Sequence, residues 1–176
     1  VMTAPLPQSF ELLGSLGDQV KPSLRRLVYA PTFVGLFECT GDVQIGEDGI
    51  LDHDLIPGLL KVINNQQKGI TATSLISVYM EEAWSEEWYE RPEEETLAEV
   101  ERLFREEVGD IDLVTKQLKR WRYAQAKDVW HEPFYRVSHH PIYLAGDIFL
   151  EADDPSGRTR FESAYLSGLR VAKAIV

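Results

Sequence analysis

The chain is nearly devoid of cysteine: Cys39 is the only one in 176 residues. One thiol cannot close an internal disulfide, so nothing points to an oxidising compartment. There is no apolar run of the roughly 18 residues that a membrane helix needs. No basic region followed by an apolar stretch opens the chain, so no signal peptide is read, and the expected location is cytoplasmic. Positive charge is scarce: 18 Lys and Arg stand against 29 Asp and Glu, for a net charge of −11. Such a surface repels phosphate backbones and anionic lipid headgroups, which argues against nucleic-acid binding and electrostatic membrane attachment. A Gly-x-Ser-x-Gly nucleophile elbow is missing.

What remains is an ordinary globular composition, 44% hydrophobic and 27% charged, in a chain long enough for a sizeable core. Val1-Met2-Thr3-Ala4-Pro5 reads as the tail of a buried strand whose beginning lies upstream, as in a fragment of a longer protein. Ser9 to Leu13 predicts a short helix closed near Gly14 or Gly17, and residues 22–30 a further helical turn or two. Thr32–Thr40, Leu59–Ile63, Ser74–Met80 and residues 115–125 read as strands, and Pro141–Ala145 as a short buried one. The clearest helix covers residues 92–108. Pro92 suits its start, Glu93, Glu94 and Glu95 complement its dipole, and Gly109 stops it. This mixture without βαβ alternation predicts an α+β fold with a mostly antiparallel sheet and flanking helices.

The chemistry concentrates near the end. A short apolar strand stops at Gly146-Asp147, where glycine admits a ligand close to the backbone and the aspartate can accept from ligand hydroxyls. A helix beginning near Arg160 then presents free N–H groups to any oxygen carrying negative charge. Ala164, Gly168 and Ala172, four apart, form a flat stripe along it. The plainer reading is a strand-end turn and a packing stripe. Trp121 and Tyr123 share one face of their strand, as core or as an aromatic wall. Trp84 and Trp88 anchor a short helix. His139-His140, read as strand residues pointing to opposite faces, offer poor metal geometry, and His53 between two aspartates reads as a surface loop residue rather than a base. Cys39 reads as a buried strand thiol.

Ala145-Gly146-Asp147, with Arg160 through Gly168, resembles the C-terminal flavin-binding motif of the amine-oxidase-like flavoproteins, and more narrowly the renalase-like NAD(P)/FAD-dependent oxidoreductases. Thr3–Gln8, Asn64–Lys68, Ala83-Trp84-Ser85 and Arg120–Ala124 follow the family's order. The resemblance implies FAD held by Gly146, Asp147, Arg160, Phe161, Glu162 and Ala164, and a substrate-domain roof over the flavin. It implies a substrate cavity with Asn65, Tyr79 and Trp121, Tyr79 standing where renalases commonly have histidine. No catalytic side chain is assigned, because hydride transfer to flavin from a dihydropyridine requires no general base. The implied partition is a linking strand and helix over 1–20, a substrate-binding domain over 21–125, and a flavin-contacting segment over 126–176. The family's Gly-x-Gly-x-x-Gly turn is absent, since Gly14, Gly17 and Gly41 lack the spacing. The implied partners are a small-molecule substrate and the missing N-terminal Rossmann half. The 176 residues alone are then expected to be inactive. The rival reading is a non-catalytic binding or oligomerisation module that folds without cofactor, and could form a homodimer.

Overall fold

A computed structural model describes residues 1–176. The chain divides into two compact units, one made of Val1–Ala30 with Gln125–Val176, the other of Pro31–Ala124.

The Pro31–Ala124 unit is built on a five-stranded antiparallel sheet. Its strands are β1 (Tyr29–Cys39), β2 (Ile50–Leu51), β3 (Leu59–Asn64), β4 (Ser74–Met80) and β5 (Leu113–Ala126), in the order β2-β3-β4-β1-β5. The register sets Val34 and Lys61 beside Tyr79, and Leu36 and Ile63 beside Ser77. Two helices follow β4: α1 (Glu82–Trp88) and α2 (Glu93–Val108). Side chains alternate across a strand. Phe33, Phe37, Ile76, Val78 and Met80 therefore share one face, where they are buried with Val100 and Phe104 of α2. Phe37 stacks on Phe104 at 5.0 Å, and Phe33 meets Trp84 edge-on at 5.9 Å. Gly35 lies on the same face, where a Cβ would come within 2.8 Å of Val100 Cγ1 and 2.6 Å of the Phe37 ring. The missing side chain is what lets the helix lie against β1.

The longer helix forms as its sequence dictates. Pro92 is its N-cap, Glu93, Glu94 and Glu95 occupy the first turn, and Gly109 closes it at φ 92°. Those glutamates are exposed, as a solvated acidic face should be. Trp84 and Trp88 stack at 5.0 Å on the short helix.

In the other unit, α3 (Leu6–Leu13) passes into a 3₁₀ turn and then α4 (Pro22–Arg25). The first starts three residues before the expected Ser9, because Pro7 fits the first helical turn. Strands β6 (Tyr135–Arg136) and β7 (Tyr143–Leu144) pair antiparallel. Met2 joins β7 in a parallel bridge, its N–H donating to Tyr143 O at 2.8 Å and its carbonyl accepting from Ala145 at 3.0 Å. Helix α5 (Phe161–Ile175) follows. The core here is Leu6, Val20, Leu24, Val137, Leu144 and Phe149. His139 and His140 are not on a strand. They sit in the turn between β6 and β7, where His139 takes a positive φ of 60°.

Candidate functional site

The end of β7 and the flank of α5 enclose a groove of about 440 Å³. That volume lies in the roughly 300–1,000 Å³ range of small-molecule sites. Thr3 and Ala145-Gly146-Asp147 form one side, and Ala164, Gly168, Val171 and Ala172 the other. The sequence explains the opening. Ser163, Ser167 and Val171 recur every four residues and are the buried stripe of α5. The adjacent stripe of Ala164, Gly168 and Ala172 is too small to fill the space beside it. A Cβ on Gly168 would meet nothing within 4 Å. Gly146 has φ 147°, a conformation side chains rarely adopt, and its N–H donates to Ser167 Oγ at 3.0 Å, which ties the strand end to the helix.

Asp147 lines this groove. Surrounding protein raises its carboxyl above the ordinary range, opposed by hydrogen bonds from its own N–H and that of Ile148. The Asp147 charge in turn acts on Tyr29, whose hydroxyl is pushed up to about 12, chiefly by burial. That hydroxyl accepts from the Leu6 N–H at 3.2 Å. Tyr29 is thus a neutral neighbour of Asp147 through the physiological range.

Helix α5 begins without a side-chain cap, because its N-cap is Arg160, and a guanidinium has no acceptor. Arg160 is occupied elsewhere. It pairs with Asp154 at 2.6 Å and Glu162 at 2.9 Å. The Asp154 carboxyl is held below its ordinary range by the Ser156 hydroxyl and N–H, with Arg160 adding to them. The first-turn N–H groups of α5 remain available to a ligand oxygen. Phe161 is 89% exposed and projects from the same turn.

Of the residues expected to hold a cofactor, Gly146, Asp147 and Ala164 line the groove, while Arg160, Phe161 and Glu162 form the helix start and do not line it. Thr3, Tyr29 and Ser167 were not anticipated. Ser167 left a trace through its four-residue spacing from Ser163 and Val171, and Thr3 as the first residue of the Thr3–Gln8 motif, whereas Tyr29 left none. The substrate candidates lie in the other unit, on the sheet face that turns away from the two helices. Tyr79 and Ser77 alternate with the core residues of β4. Asn65 donates to Leu75 O and Ser77 Oγ, each at 2.9 Å. On β5, Arg120 and Arg122 pack on the Tyr89 ring, and Leu118 is in the core. Trp121 therefore falls on the opposite face, 53% exposed. The Asn64–Lys68 motif has a local cause as well. Asn64 is fully buried and its carbonyl oxygen accepts from the N–H groups of Gln66 and Gln67, which closes the loop.

A larger cleft of about 540 Å³ runs between α2 and the start of β5. Its charges satisfy one another: Arg105 pairs with Glu101 at 3.0 Å and Asp110 at 2.7 Å, and Lys116 with Glu101 at 2.7 Å. Such a cleft offers a ligand little unmet charge. No group of three or more His, Cys, Asp or Glu side chains is placed to hold a metal, and Cys39 is buried. No helix is long and apolar enough to cross a membrane.

The fold has counterparts among solved structures. The chain is similar in fold to a candidate protoporphyrinogen oxidase from Exiguobacterium sp. 255-15, with TM-score 0.59 and 15% identity over 98% of this chain and 40% of that one. A Pyrococcus furiosus protein gives TM-score 0.54 and 10% identity, over 98% of this chain and 39% of its own. The chain thus spans about 40% of the length of these structures. No curated protein sequence matches it significantly. The profile of the flavin-containing amine oxidoreductases matches residues 1–176, and the chain belongs to that family.

Proposed function

We propose that the chain is the second half of an FAD-dependent oxidoreductase, with the groove between β7 and α5 as its share of the flavin site. The observation that carries this reading is the groove itself, with no side chain at Gly146 or Gly168 and an uncapped helix start beside it. These features fit a large planar cofactor with a polyhydroxyl arm. Asp147 would accept from ribityl hydroxyls, and Gly146 would allow close approach of the arm. The helix start at Arg160–Ala164 would favour negative charge on the ring's carbonyl oxygens. A flavin bound there would supply hydride acceptance from an amine or a reduced nicotinamide-type substrate, with oxygen as the final electron acceptor.

The chain's own side chains do the positioning. Trp121 offers an aromatic surface for a planar substrate. Asn65 has both amide hydrogens committed to the sheet, which leaves its carbonyl oxygen to receive a substrate donor. Tyr79 contributes a hydroxyl on the same face. The renalase-like narrowing rests on the order of five short motifs, with Tyr79 departing from that pattern. We assign the dinucleotide-binding role to an N-terminal half. Support comes from α5, which exposes Phe161, Tyr165 and Leu169 at 89%, 60% and 42%, one apolar stripe without a partner in the chain.

The test is anaerobic mixing of the purified longer protein with nicotinamide isomers and with amines. Bleaching of flavin absorbance by either class supports the reading and selects the substrate type. A colourless protein that takes up no added FAD overturns it in favour of a non-catalytic module.

A further inference from the structure

We propose that Lys61 reads a negative charge on the substrate, so that the ligand of the sheet face is a planar compound bearing a carboxylate. This rests on the reading of that face as the substrate's. Lys61 sits directly beside Tyr79 across the β3–β4 pair, on the face away from the helices. It is half-buried, yet it makes no ion pair, in a chain whose acidic groups exceed its basic ones by eleven. Among the other cations of the sheet, Lys119 also lacks an ion pair but is exposed to water. Lys116 is paired with Glu101, and Arg120 and Arg122 are stacked on Tyr89. The acid placed on the same face, Glu38, lies at the far end of β1, opposite Leu75, and accepts from Thr115 Oγ at 3.3 Å.

A half-buried ammonium without a counter-charge costs solvation that a ligand carboxylate recovers. Beside it is Tyr79, whose hydroxyl can donate to a second carboxylate oxygen and whose ring offers a surface to a flat ligand; Trp121 stands on the same face three strands away. An ammonium-bearing substrate without an acid group finds no such partner here. The chemistry selected is an aromatic or heteroaromatic acid rather than a simple amine.

Benzoate and benzamide, which share shape and differ in charge, are the probes. Binding to the longer protein is read twice: by tryptophan fluorescence, which needs no flavin, and by perturbation of flavin absorbance. Benzoate is expected to bind about tenfold or more tightly than benzamide, with the preference falling as salt screens the pair. Lys61→Met should abolish the preference and Lys61→Arg should keep it. Equal binding of the two probes, or a preference that survives Lys61→Met in a folded variant, overturns the proposal. A fluorescence preference in protein that holds no flavin sustains it, while sinking the flavin reading.

Discussion

Gly35 shows how much one missing Cβ decides. Alanine there would force apart Val100 and the Phe37 ring, since the added carbon lies 2.8 Å and 2.6 Å from them. Overpacking of this kind costs about 1–3 kcal/mol, so Gly35→Ala should lower the urea midpoint with little change in slope. Asn65 carries a structural and a proposed ligand role together. Asn65→Ala removes donors from Leu75 O and Ser77 Oγ and should cost about 1–3 kcal/mol. Asn65→Asp should be worse, because it aims an acceptor at a carbonyl; thermal melts of both variants check this order. Tyr29 gives a pH signature. Its folded hydroxyl titrates near about 12 against an ordinary 10.0. The folded state therefore holds this proton more tightly, so the stability it contributes is complete below pH 10.0 and disappears as pH climbs towards about 12. Wild type should lose stability across that window more steeply than Tyr29→Phe, as read by alkaline unfolding curves.

At the scale of elements, α5 separates packing from function. Its buried stripe is Ser163, Ser167 and Val171, and its groove stripe is Ala164, Gly168 and Ala172. Open space beside Gly168 means that Gly168→Ala should gain helix propensity, stabilising the chain by about 0.5–1 kcal/mol in denaturant titrations. Gly168→Leu should fold equally well and fill the groove, so that the longer protein loses flavin while keeping its melting temperature in the flavin-free state. The elements differed in how far sequence revealed them. The helix Glu93–Val108 was legible because acid at its start, apolar spacing and Gly109 agree. Strands β3 and β4 were legible from apolar runs bounded by turn residues. The two-residue β2 and β6 carry no periodicity to detect, since tertiary pairing alone makes them strands. The His139-His140 turn was misread because a polar pair beside an apolar run mimics alternation, whereas Pro141 and the positive φ of His139 enforce a reversal. In the Arg120–Ala124 motif alternation alone sends Arg120 and Arg122 to one face and Trp121 to the other. Only the ring contacts of the arginines show which face is which.

At the scale of the molecule, two units each hold part of the proposed chemistry: a groove for the cofactor in one and a sheet face for the substrate in the other. Neither the groove nor the pairing of Tyr29 with Asp147 was visible as a pattern, because both join segments more than a hundred residues apart. Gly146-Asp147 was visible only as a strand end. The central claim is that these residues hold flavin when joined to an N-terminal dinucleotide-binding half. The direct measurement is flavin absorbance per chain in the purified longer protein, alongside the 176 residues alone. The account predicts equimolar flavin in the first and no tight FAD binding by the second. A longer protein that stays colourless with added FAD would contradict it.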